Sequence, residues 1–146
     1  MAGSPEELLH ASTVVIDGQA VLIMGPSGSG KSDLALRLID RGAGLLSDDY
    51  TRVALRDGDL EASPAPNIAG KIEVRGVGII KLPFVQKARV ALVVTLGDSI
   101  ERLPQSDKSI PILGKEVRTV MLNGLEPSAP IKVEMALRQC LAEAWS

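Results

Sequence analysis

Apolar residues in this chain come in short runs whose period changes along its length. Val14 to Ile16 and Ala20 to Met24 flank Asp17-Gly18-Gln19, a turn signal, and predict a hairpin. From Lys31 to Arg41 the apolar positions Leu34, Leu38 and Ile39 take helical spacing, and Gly42 and Gly44 stop the helix. Leu45 and Leu46 form a short strand that delivers Ser47-Asp48-Asp49-Tyr50. Beyond Tyr50 the segments Thr51 to Leu55, Leu60 to Ala62, Ile72 to Val74, Ile79 to Leu82 and Val90 to Val94 are all short, rich in β-formers and bounded by turns. Asp57-Gly58 predicts a tight turn, and Ser63 to Asn67, with Pro64 and Pro66, a surface loop. Ser109 to Leu113 is one more short strand. Ala129 to Trp145 is a second helix, with Pro130 in its first turn and Val133, Leu137, Cys140, Leu141 and Ala144 at helical spacing.

One helix, then mostly strands, then a terminal helix is not the strict alternation that builds an all-parallel sheet. It predicts an α/β fold with a mixed, strand-rich sheet, in one domain spanning 1–146, a length that buries a real core without staples. The only aromatics are Tyr50, Phe84 and Trp145, so the core must be aliphatic and stacking platforms for single-stranded nucleic acid are missing. A net charge of −2 argues against nucleic acid or an acidic membrane as the main partner. Cys140 is the sole cysteine, which excludes an intramolecular disulfide and a multi-cysteine zinc site and suits a reducing compartment. The N-terminal stretch is acidic where a secretory signal is basic, and no apolar run reaches the length of a membrane span, so a cytoplasmic protein is expected. Function is therefore to be sought in a site.

Ala20 to Ser32, AVLIMGPSGSGKS, holds that site's first part: Gly25, Gly30, Lys31 and Ser32 have the GxxxxGK[ST] spacing, between a predicted strand and a predicted helix. The loop Gly25-Pro26-Ser27-Gly28-Ser29-Gly30 is flexible enough for successive N–H groups to curl round phosphate oxygens, and the helix behind it turns its positive end to the anion. Lys31 reaches the β- and γ-phosphates in this motif, and the Ser32 hydroxyl ligates Mg²⁺. The bland alternative is a Gly/Ser turn that binds nothing.

Asp48 and Asp49 end the strand after that helix, and a parallel pairing sets them beside the loop. There one carboxylate serves to hold Mg²⁺ and the other to accept a proton, since two adjacent charges repel unless a cation lies between them. A solvated turn is the alternative. Glu73 and Arg75 share one face of a strand, with Ile72 and Val74 on the other, a pattern that on spacing alone is more often a surface ion pair worth little than a site. His10 is the sole histidine and reads by itself as an exposed side chain, as do Arg102 and Arg118.

Taken together, His10 with the strand-turn-strand after it, GPSGSGKSDLALRLIDRGAGLLSDDY from Gly25 to Tyr50, KIEVRGVGIIK from Lys71 to Lys81 and IERLP from Ile100 to Pro104 resemble the catalytic domain of the HPr kinase/phosphorylase family. The resemblance implies a Mg²⁺- and ATP-dependent enzyme that phosphorylates a serine of the phosphocarrier protein HPr. It implies an active-site histidine at His10, a phosphate-binding lysine at Lys31, and Mg²⁺ ligands at Ser32 and Glu73, with Asp49 also at the metal. Asp49 matches the group that takes the serine proton, Asp48 its neighbour, and Arg102 an arginine that meets the transferring phosphate. Relatives of this kind assemble into hexamers, which makes a homo-oligomer an expectation here.

In family members the same carboxylate can run in reverse, as inorganic phosphate attacks phosphoserine to release pyrophosphate. Three departures bear on these expectations. The separate N-terminal domain of longer members has no counterpart in this sequence, and the glycine-rich loop after the signature is abbreviated to Leu82 to Lys87. The stretch tied to the reverse reaction appears as Pro111-Ile-Leu-Gly-Lys-Glu116, with Lys115 in place of an arginine, and Lys lacks arginine's planar two-pronged grip on phosphate. A nucleotide-binding regulatory module without phosphoryl transfer, and a small-molecule kinase, are the competing readings.

Overall fold

The computed structural model describes residues 5–104 and 108–144. In chain order these form β1 (Glu6–Leu9), β2 (Ser12–Ile16), β3 (Gln19–Met24), α1 (Lys31–Asp40), β4 (Gly44–Ser47), β5 (Thr51–Arg56), β6 (Asp59–Pro64), β7 (Lys71–Val74), β8 (Gly78–Lys81), β9 (Ala88–Leu96), β10 (Ser109–Ile112), β11 (Lys115–Leu122) and α2 (Ala129–Ala144). The expected mixed, strand-rich α/β architecture is what forms, with β3, β9 and β11 parallel and the other pairings antiparallel. The main sheet runs β1-β5-β6-β9-β3-β2-β4, with β11 also paired to β9 and β10 to β11, while β7 and β8 make a separate hairpin.

Strand alternation assigns the two faces. Val21 and Ile23 of β3 and Leu92, Val94 and Leu96 of β9 join Leu34 and Leu38 of α1 and Val133 and Leu137 of α2 in one core. Both helices therefore cover the same face. Ala20 and Leu22 point the other way, to Leu46, Val53, Leu60 and Val93. The Asp17-Gly18 and Asp57-Gly58 turns have positive φ at both residues, 51° and 77° in the first and 52° and 82° in the second, as two-residue hairpins prefer.

Several expectations need correction. β4 does not pair with β3; β2 lies between them, antiparallel to both, so β4 still runs in the direction of β3 and its end reaches the same edge of the sheet. Ser63 and Pro64 belong to β6 and pair with Arg52 and Thr51, because a proline at a strand's last position loses no interior ladder bond. β1 and β11 carry no strand signal strong enough to read in advance. Glu6–Leu9 is mostly exposed and is held by its register with Thr51–Ala54, and Lys115–Leu122 opens with charged residues on a hairpin made by positive φ at Leu113 and Gly114. α1 ends at Asp40, one residue early. Trp145 lies outside the described residues.

Candidate functional site

Elements ending at one edge of the sheet bring His10, Lys31, Ser32, Asp49 and Glu73 of the predicted residues to a cleft of about 450 Å³. β3 gives way at Met24 to the phosphate loop, and α1 starts at Lys31 after Gly30, whose φ of 94° is a left-handed conformation that glycine adopts freely. No side chain caps α1, so the N–H groups of its first turn are left for an anion. Gly25 is needed for space. A Cβ there would stand 2.8 Å from Ser29 Oγ and 3.1 Å from the Leu96 carbonyl oxygen. Ser29 Oγ is the one buried side-chain polar atom without a partner among the described residues. Lys31, 8% exposed, folds back over the loop and donates from Nζ to the carbonyls of Gly25 at 2.8 Å and Pro26 at 3.1 Å. Its ammonium thus stands at the rim of the loop.

The acidic pair divides. Asp48 is buried and accepts at Oδ1 from Ser32 Oγ (2.7 Å) and Ser12 Oγ (2.9 Å), and at Oδ2 from the Glu73 N–H (3.1 Å). Asp49 has a φ of 68°, a left-handed turn that Asp tolerates better than most residues. Its N–H donates to Ser12 Oγ at 3.2 Å, and its exposed carboxylate lies 2.9 Å from His10 Nε2. The His10 ring stacks on Tyr50, with centroids 5.0 Å apart. One carboxylate is therefore tied to the phosphate loop and the other faces the mouth of the cleft.

Glu73, Val74 and Arg75 line the cleft together. Glu73 and Arg75 share a side as expected and Ile72 is buried on the other, but Val74, expected with Ile72, also lines the cleft because β7 ends there and alternation stops. Arg102 is exposed in the segment after β9 and does not line this cleft. Lys115 is also elsewhere: its Nζ donates to the Gly58 carbonyl at 2.6 Å and stands 3.8 Å from Asp59, at the β5–β6 turn. Arg118 pairs with Glu143.

Sequence reasoning missed Ser12, Tyr50 and Leu125 as site residues. Ser12 reaches Asp48 across β2 and Leu125 arrives from the loop after β11, so only the pairing of distant strands brings them in. Tyr50 could have been suspected from its place next to the acidic pair.

Among the described residues no three His, Cys, Asp or Glu side chains gather into a metal cage of their own. The donors present are hard oxygens: Ser32 Oγ bonded to Asp48, with Glu73 in the same cleft as the loop. They fit Mg²⁺, which binds through one or two carboxylates together with substrate phosphates rather than in an all-protein cage. No helix among the described residues is long and apolar enough to cross a membrane.

Comparison with known proteins identifies the family and the fold. The family model for the HPr serine kinase C-terminal domain matches residues 2–140. An HPr kinase/phosphorylase of Bordetella petrii is 36% identical over 154 aligned positions, covering 94% of this chain and 49% of that protein. One from Cupriavidus necator is 32% identical, covering 94% and 47%. The chain thus spans about half the length of the curated relatives it matches. The solved structure of the Hpr(Ser) kinase/phosphatase from Coxiella burnetii superposes with a TM-score of 0.81 at 30% identity, covering 94% of this chain and 92% of the other.

Proposed function

The chain belongs to the HPr serine kinase C-terminal domain family, and from that premise we propose that it is an ATP- and Mg²⁺-dependent kinase that phosphorylates a serine of an HPr-like phosphocarrier protein. The observation that carries this reading is the division of labour between Asp48, hydrogen-bonded to Ser32 of the phosphate loop, and Asp49, exposed beside His10 at the cleft mouth.

Phosphoryl transfer asks little covalent chemistry of a protein; it asks for alignment and cancellation of charge on the γ-phosphate. The N–H groups of the loop and of the first turn of α1 grip the phosphates, and Lys31 exchanges its bonds to Gly25 and Pro26 for phosphate oxygens. Ser32, with the carboxylates of Asp48 and Glu73, would hold Mg²⁺. The bond from Ser32 supports Asp48 rather than Asp49 as the aspartate nearest the cation. Mg²⁺ when bound would supply neutralisation of the charge on the phosphates.

Asp49 accepts the proton of the incoming serine hydroxyl. His10, its ring stacked on Tyr50, holds that carboxylate in place. Arg102 enters the reading as a group that approaches the transferred phosphate from the segment after β9. In the reverse direction, inorganic phosphate attacks phosphoserine, the serine oxygen takes the proton back from Asp49, and pyrophosphate leaves. The forward reaction is placed first because Lys115 is engaged with Gly58 and Asp59 outside the cleft.

The test is purified protein with HPr and Mg-ATP, read by mass spectrometry for phosphoserine, beside the Asp49→Asn variant. Transfer by the parent, with loss of turnover and retained nucleotide binding in the variant, is expected. Absence of phosphoserine under conditions where nucleotide binds would overturn the substrate, and a variant indistinguishable from the parent would favour a nucleotide-controlled regulatory module.

A further inference from the structure

Leu125 is 70% exposed, yet it lines the phosphate-loop cleft rather than open surface. It is also held there firmly. Arg37 of α1 donates to the carbonyls on both sides of it, those of Gly124 and Glu126, the latter at 3.0 Å, while Asp33 braces the same guanidinium at 3.0 Å. The Leu125 N–H donates to Asn123 Oδ1 at 3.0 Å, and Lys132 pins Glu126 at 2.7 Å. Gly124 packs so closely that a Cβ there would meet Leu96 at 2.7 Å and the Ser29 carbonyl oxygen at 3.3 Å, and a Cβ on Gly30 would meet the Leu125 side chain at 3.2 Å. Folding gains little from ordering a loop that presents a leucine to solvent, since an apolar side chain stabilises by leaving water. The arrangement has a use if a ligand completes the burial.

Sheet order says which part of a ligand that is. The phosphate loop follows β3, the middle of the run β4-β2-β3-β9-β11. Asp48 and Asp49 arrive from the β4 side and Leu125 from the β11 side. A polyphosphate seated in the loop with its reacting end toward Asp49 therefore directs its other end toward Leu125. That end, in a nucleotide, is the ribose and base. Resting on the nucleotide-binding reading above, we infer that Leu125 is the apolar seat for the nucleoside of the phosphoryl donor. It makes this site prefer a nucleoside polyphosphate over bare polyphosphate.

Calorimetric titrations of the protein with Mg-ADP and with Mg-tripolyphosphate test this, for the parent, Leu125→Ala and Leu125→Met. The side chain is exposed and its loop is held by backbone bonds, so both variants should fold, and a thermal midpoint equal to the parent's verifies it. The parent is expected to bind ADP more tightly than tripolyphosphate. Leu125→Ala should weaken ADP roughly five- to twentyfold, because the nucleoside then buries less apolar surface, with tripolyphosphate changed less than about twofold. Leu125→Met should recover most of the ADP affinity.

Equal weakening of both ligands, or ADP binding unchanged by the alanine, would overturn the assignment; the latter outcome would leave Leu125 to a macromolecular partner. Uptake of tripolyphosphate with no added affinity for ADP would also overturn it while the phosphate-loop reading stands. Uptake of neither ligand would remove both.

Discussion

Asp48→Asn isolates the link between the phosphate loop and the β7–β8 hairpin. In the parent, Oδ1 takes both serine hydroxyls, at 2.7 and 2.9 Å, and Oδ2 takes the Glu73 N–H at 3.1 Å. An asparagine keeping its amide oxygen toward the serines turns its NH₂ on the Glu73 N–H, donor against donor. The opposite flip loses two acceptors to save one, so the first arrangement wins. A hydrogen bond to a charged acceptor contributes about 1.5–3 kcal/mol, so amide exchange at Glu73 should accelerate about 10- to 150-fold. Global stability should move less, within about 1 kcal/mol, because the substitution also removes a buried carboxylate with no ion-pair partner among the described residues. Amide exchange followed by NMR, compared with urea unfolding of the same samples, separates the two quantities. Glu73 exchange left at the parental rate, or accelerated only in step with global unfolding, would refute Asp48 as the anchor of β7.

Two further outcomes are expected. Arg41 grips Glu134 through two bonds, at 3.0 and 2.7 Å, and this hydrogen bonding lowers the Glu134 carboxyl below its ordinary value of 4.5, against an opposing push from burial and with added help from the Arg41 charge. A lowered folded-state value stabilises above pH 4.5 and stops doing so as pH falls through it. The thermal midpoint of Glu134→Gln should therefore lie below the parent's at pH 7 and approach it as the pH falls below 4.5; a gap that widens over that descent would contradict the pairing. Burial pushes the Cys140 thiol upward, with Glu143 adding to the rise and Arg118 opposing it, so at pH 7.5 the folded protein should react with a thiol reagent at about a tenth or less of the rate seen in urea. Equal rates in the two conditions would contradict that placement.

Local chemistry determined a good deal. Gly25 to Ser32 announces a glycine-rich loop running into a helix start, because glycine torsions and a helix N-terminus are properties of neighbouring residues. The Asp17-Gly18 and Asp57-Gly58 turns and the helical spacing from Leu34 to Leu38 are legible for the same reason. The split between Asp48 and Asp49 is not. It depends on the left-handed turn at Asp49 and on Ser12, which reaches Asp48 from 36 residues away through the β2–β4 pairing. Likewise β1 and β11 lack a strong pattern of their own and take their place from register with β5 and β9. Leu125 becomes a wall of the cleft because β11 runs parallel to β9 and ends at the same edge. Torsional preference and apolar spacing are written in adjacent residues; which strand lies beside which is settled when the two faces of the sheet are buried, and that decision assembles the site.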